Sequence, residues 1–147
     1  MRSRPTETRM TIMAAEPLPP HVIALLEGAN PAVMATLRSD GTPVSVATWY
    51  LFEKDRILVN LDAKRTRLTH LRRDPRVSLT VIEDGNWYKH VSIQGRATSI
   101  EDDPEMTDID RLATRYTGGP YPDRTRPRVS VWIDIDRWHA WNVDSGS

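Results

Sequence analysis

Apolar side chains recur along this sequence with two different periods, and the switches between them outline the elements. After Pro19 and Pro20, the stretch HVIALLEG places Val22, Ile23, Leu25 and Leu26 on one stripe and stops at Gly28, which predicts a short first helix. From residue 32 the period falls to two. Residues 32–37 and 44–52 flank a turn at Ser39, Asp40 and Gly41, with Val44, Val46, Thr48, Tyr50 and Phe52 on one face, a pattern that predicts a hairpin. The same alternation returns at Ile57, Val59 and Leu61, at Val77, Leu79 and Val81, and at Val91, Ile93, Gly95 and Ala97 in a strand opening near His90. It closes with Val129, Val131, Ile133 and Ile135.

Helical patterns interrupt these strands over residues 63–73 and 104–117. The second has Asp103 as its N-cap, Pro104 at its first position, Arg111 and Arg115 toward its end and Gly118 closing it, so its charges complement its dipole. Met106, Ile109, Leu112, Ala113 and Tyr116 give it a face suited to core packing. Six short strands with irregularly placed helices predict a mainly β domain, an antiparallel barrel closed or partly closed, rather than a parallel sheet.

Length and composition narrow the picture. At 147 residues the chain has room for one domain. Residues 1–18 read as a flexible N-terminal tail in which Met10 and Met13 are alternative starts, and residues 19–147 form the folded unit. Twenty basic and 20 acidic side chains cancel, which removes any bulk electrostatic case for nucleic acid or an anionic membrane. No run approaches the roughly 18 apolar residues of a spanning helix, and a cytoplasmic location is expected. With no cysteine there is no disulfide scaffold, iron-sulfur cluster, thiolate zinc site or cysteine nucleophile.

Familiar catalytic signatures are missing too. There is no G-x-S-x-G elbow, H-E-x-x-H pair, Walker loop or G-x-G-x-x-G fingerprint, and His21, His70, His90 and His139 are dispersed, so no metal site is expected. The sharpest local signal is AKRTRLTHLRR. It puts Lys64, Arg65 and Arg67 at a helix start, where backbone N–H groups already present partial positive charge and where Asp62 can cap only one end of the problem. An anion such as phosphate relieves that repulsion; solvation or pairing with distant acids relieves it equally, and spacing alone leaves both open. Trp49, Tyr50, Trp87, Tyr88, Trp132, Trp138 and Trp141 offer flat surfaces that suit a flat cofactor, a core or a subunit interface.

The order of ATLRSDGTPVSVATWYLF, RILVNLDAKRTRLTHLRRDPRVSL, VSIQGRATSI, RYTGGPY and VSVWIDIDRW resembles the pyridoxamine 5'-phosphate oxidase-like split-barrel flavoproteins, and within them the deazaflavin-dependent oxidoreductases. The resemblance covers nearly the whole chain apart from its tail. It implies a six-stranded antiparallel split barrel of the FMN-binding type with flanking helices, forming a homodimer with cofactor sites at the subunit interface. It implies that Arg65 and Arg67, with Lys64 and the Thr66 backbone, grip a cofactor phosphate. Ala47, Thr48 and Trp49 would line the ring and Asn60 the ribityl chain, while Tyr88 and His90 would come from the partner subunit. The implied activity is hydride transfer from reduced coenzyme F420 to a conjugated enone, quinone or heterocyclic small molecule. FMN is the alternative cofactor, and a non-catalytic flavin or deazaflavin carrier is the alternative role. The cofactor supplies the chemistry in either case, which accounts for the lack of an acid-base dyad.

Overall fold

Three helices and seven strands follow one another along residues 17–143, the part of the chain that this computed structural model describes. Their order is α1 (Pro20–Glu27), β1 (Ala32–Leu37), β2 (Pro43–Thr48), β3 (Leu51–Glu53), β4 (Arg56–Asp62), α2 (Thr66–Arg73), β5 (Arg76–Ile82), β6 (His90–Asp102), α3 (Thr107–Thr117) and β7 (Arg128–Trp141). The strands form one antiparallel sheet in the order β2-β1-β5-β6-β7-β4-β3. The tail expected over residues 1–18 lies outside the described residues except for its last two, and Leu18 packs against the core. Among the described residues no helix is long and apolar enough to cross a membrane.

The segment expected to run as one strand through Phe52 is cut at Trp49 and Tyr50, which raises the strand number to seven. Its two pieces pair at opposite edges of the sheet: β2 with β1 and β3 with β4. Three residue steps separate Thr48 from Leu51, a span of at most about 10 Å. The edges therefore converge, and the sheet curls into a barrel that the ladder itself leaves unclosed. That is the split barrel the resemblance implies, built from seven strands rather than six. Tyr50, fully buried, stitches the seam by donating its hydroxyl to the Leu26 carbonyl (2.8 Å) and the Gly28 carbonyl (3.0 Å).

Inward-facing residues of six strands meet in the barrel, among them Met34, Ile57, Val59, Leu79, Val91, Ile93, Val131 and Ile133, with Leu26 of α1 and Leu71 of α2 closing it. Where β6 crosses β7, the register shifts after Gln94. At Gly95 an added Cβ would stand 2.1 Å from the Asp134 carbonyl oxygen, so this strand position admits only glycine. β4 is buried on both faces; Leu58, Asn60 and Asp62 form its outer side. A second, smaller cluster of Met106, Ile109 and Leu112 packs with Trp49, Leu51 and Tyr121, holding α3 outside the barrel.

Both later helices start further along than their patterns suggested. α3 begins at Thr107 because residues 103–106 close a turn (Met106 N–H to Asp103 O, 3.1 Å) and Met106 takes a left-handed φ of 61°. Pro104 is thus outside the helix. Asp103 still caps it from a distance, its carboxylate accepting the Asp108 N–H (3.2 Å) and the Ile109 N–H (3.0 Å). Gly118, at φ 88°, ends α3 as expected.

Candidate functional site

The basic segment after β4 shapes one end of the site. α2 starts at Thr66 with Arg65 as its N-cap residue, so Lys64 and Arg65 precede the helix and Arg67 is the one cation of the three inside its first turn. Asp62 is the cause. Its carboxylate accepts the Lys64 N–H (2.9 Å) and its carbonyl accepts the Arg65 N–H (2.9 Å), bending residues 62–65 into a turn that a helix cannot share. The Lys64 amide, with help from the Arg126 guanidinium at 3.3 Å, holds the Asp62 carboxyl below the usual carboxylate range. The helix N-terminus itself has no side-chain cap and no acid in its first turn. Its partial positive charge and that of the arginines remain uncompensated.

Several surface arginines have carboxylates: Arg76 with Asp74 (2.7 Å), Arg96 with Asp136 (2.7 Å), Arg111 with Glu53 (2.9 Å) and Arg124 with Asp110 (2.7 Å). Arg65 and Arg67 have none among the described residues. The Arg67 Nη1 atom is buried and has no hydrogen-bond partner among the described residues. Burial, followed by the neighbouring Arg65 charge, pushes the Arg67 pKa down. These side chains line a hollow of about 280 Å³ together with Arg38, Val44, Val46, Thr66 and His70. His70, buried beneath it, is held by the Thr36 hydroxyl at 2.9 Å. A second groove of about 520 Å³ begins at the same arginine and is formed by Asp62, Lys64, Arg65, Thr125, Arg126 and Pro127.

The edge strand β2 connects this hollow to a larger cleft. Val44 and Val46 border the hollow, whereas Ala47 and Thr48, at the other end of the strand, join Trp49 and Asn60 in a cleft of about 670 Å³. Such a volume is typical of a small-molecule site. Trp49 stacks on Tyr116 (5.4 Å between centroids, 6° between planes) and meets Tyr121 edge-on at 6.3 Å. Ile109, Leu112 and Tyr116 of α3 complete the wall, so the face expected to be plain core also borders the cleft.

Asn60 is committed to the interior. Its amide nitrogen donates to Asp103 (3.1 Å) and to Ser130 (3.1 Å), filling both of its N–H positions, while its side-chain oxygen accepts from Arg128 Nε at 3.0 Å. One acceptor lone pair is left for anything in the cleft. Ser130 passes the chain on by donating to Asp108 at 2.6 Å.

Tyr88 and His90 stand apart from both depressions. Tyr88 stacks on Trp87 (4.2 Å) and His90 on Trp141 (4.6 Å), forming an exposed aromatic patch in which Trp87 is 65% and Tyr88 60% accessible. Within one chain, then, Ala47, Thr48, Trp49 and Asn60 share the cleft, and Arg65, Thr66 and Arg67 share the hollow. Lys64 falls in the adjoining groove, and Tyr88 and His90 join neither. Sequence reasoning missed Arg38, His70, Tyr121 and Arg128. Tyr121 lay within the quoted RYTGGPY segment, and Arg128 immediately precedes the apolar alternation of Val129, Val131 and Ile133; a cation at the head of that run was the available signal.

The sequence profile described as pyridoxamine 5'-phosphate oxidase matches residues 18–142. Among solved structures, the fold is similar to an F420 reductase, with 26% identity and a TM-score of 0.76 over 83% of this chain and 98% of that one. A conserved hypothetical protein from Mycobacterium tuberculosis has 30% identity and a TM-score of 0.66 over 85% of each chain. General Stress Protein 26 from Bacillus anthracis shares the fold at 20% identity, with a TM-score of 0.63 over 84% of this chain and 93% of that one.

Proposed function

Because the chain belongs to the pyridoxamine 5'-phosphate oxidase family, we propose that it is an oxidoreductase whose flavin-type cofactor anchors its phosphate on Arg65 and Arg67. The observation that carries this reading is the buried, partnerless Arg67 Nη1, which fits an anion in the hollow beside it. The uncapped N-terminus of α2 adds N–H donors to the same place. The ring would lie toward Ala47, Thr48 and Trp49, at the cleft end of β2.

Our preferred cofactor is reduced coenzyme F420, which when bound supplies a hydride for a conjugated enone, quinone or heterocycle. Two observations favour it over FMN: the similarity to an F420 reductase, and the groove of Lys64, Arg65 and Arg126 that continues beyond the phosphate hollow and suits an anionic tail. The chain's own part is to fix the anion, present an aromatic wall and keep water from the reacting plane. Homodimerisation, with Tyr88 and His90 reaching the partner's site, belongs to the same proposal and is supported by the exposure of Trp87, Tyr88 and Trp141.

Fluorescence titration with F420 and with FMN tests the assignment. F420 is expected to bind more tightly than FMN, and Arg65→Ala with Arg67→Ala is expected to weaken it by about 100-fold, the loss of roughly 3 kcal/mol of charge-assisted hydrogen bonding, with the circular dichroism unchanged. Unchanged affinity in the double variant rejects the phosphate site. Oxidation of reduced F420 with a panel of enones and quinones then separates enzyme from carrier: no turnover with any acceptor leaves the carrier role.

A further inference from the structure

Arg128 is the one strongly buried arginine of the cleft, 9% exposed, and among the described residues no carboxylate lies within salt-bridge distance of it. Its Nε donates to the Asn60 side chain (3.0 Å) and its Nη2 to the Asn60 carbonyl (3.3 Å), while Nη1 has no acceptor among the described residues. One face of the guanidinium is covered by Tyr121, 4.8 Å from the ring centroid. A guanidinium nine-tenths buried is costly without a direct counter-charge, and neutral acceptors plus one aromatic face only partly offset that cost.

Two acids lie nearby without pairing with it: Asp62, opposite Arg128 across the β4–β7 pair, spends its carboxylate on the Lys64 amide and Arg126, and Asp103 is reached only through Asn60. Asn60 stands between the two, its amide nitrogen on Asp103 and its oxygen on Arg128, and Asp103 spends its own oxygens on the amides of α3. Asp62 acts on Arg128 through space, but no carboxylate among the described residues forms an ion pair with it, and the interposed amide holds it in place. A locked cation with a free N–H at the border of an aromatic cleft is built to receive a negatively charged oxygen.

We propose that Arg128 binds the anionic oxygen of the substrate, so that the cleft selects planar, conjugated molecules bearing a carboxylate, or a carbonyl that gains negative charge as it reacts. That this ligand is a substrate rests on the oxidoreductase reading; that the cleft takes an anion does not. Tyr121 and Asn60 are positioning residues in this scheme, fixing the guanidinium from its face and its edge.

Cinnamate and its neutral counterpart cinnamamide, titrated by calorimetry into the cofactor-free protein, read out the proposal without turnover. Wild type is expected to prefer the carboxylate by at least about tenfold, and Arg128→Gln to lose that preference while its affinity for the neutral cinnamamide stays within about threefold of wild type. Arg128→Lys, which keeps the charge but not the fork, is expected to recover part of it. Equal affinity of wild type for acid and amide overturns the proposal, and this comparison holds even if the glutamine variant does not fold. A glutamine variant that loses F420 and keeps cinnamate also overturns it, because the guanidinium then serves the cofactor. The Arg65→Ala, Arg67→Ala protein is expected to lose F420 and keep cinnamate, so a failure of the phosphate assignment is distinguishable from a failure here.

Discussion

Arg67 and Arg115 carry the same side chain into half-buried surroundings and meet opposite fates. Arg115 leaves the last turn of α3 and donates to the Tyr50 carbonyl (3.0 Å), the Glu27 carbonyl (2.9 Å) and the Leu26 and Gly28 carbonyls. It thereby satisfies the orphan C-terminal carbonyls of α1 and ties that helix to the seam of the barrel. Arg67 has a buried nitrogen with no acceptor and a like charge beside it. The lesson is that a cation whose every nitrogen finds an acceptor belongs to the scaffold, whereas one left wanting marks where a ligand goes.

Breaking Arg115 is expected to cost the most stability. Arg115→Met strips charge-assisted bonds from several carbonyls at once and is expected to lower the unfolding free energy by about 3 kcal/mol, read as a lower urea midpoint. Cofactor affinity, corrected for folded fraction, is expected to stay at the wild-type value.

Tyr50→Phe removes the other clasp on the same carbonyls and is expected to cost about 1 to 2 kcal/mol. It carries a pH signature as well. Burial raises the Tyr50 pKa above the usual phenol range, and that of Tyr116 likewise, so the folded protein keeps these protons where the unfolded chain releases them. The stability they contribute is full below the unfolded value of about 10 and is lost as pH rises toward the folded one. Wild type is therefore expected to lose stability above about pH 10, and Tyr50→Phe to show a shallower decline there in parallel urea melts.

An exposed pair sets the lower limit. Arg96→Ala breaks the bidentate contact with Asp136 on open strands and is expected to change stability by no more than about 0.5 kcal/mol. A larger loss would show that geometry alone, without burial, lets an arginine hold this fold together.

The strands were legible because alternation in Ile57, Val59 and Leu61, or Val129, Val131 and Ile133, reports directly which face meets the core. The cut at Trp49 and Tyr50 was not, since both residues continue a strand-like run and only the closure of the barrel requires the chain to change edges there. Helix starts shifted for a related reason. Asp103 caps α3 by reaching across a turn, whereas Asp62 ties up the Lys64 amide ahead of α2 and leaves that helix uncapped, a difference spacing cannot distinguish. The basic cluster was visible as charge out of place. Whether those charges were paired depended on contacts distant in sequence, and the same holds for Arg128, whose partner Asn60 lies on a different strand.

The central claim is that Arg67 is destabilising until an anion reaches it, and melting curves of wild type and Arg67→Met with and without F420 test it directly. Without cofactor, Arg67→Met is expected to melt higher than wild type, by about 1 kcal/mol of stability. With saturating F420 the order is expected to reverse, because only wild type gains the contact between Arg67 and the phosphate. A variant that melts lower than wild type without cofactor, or that gains as much as wild type from F420, would contradict the account.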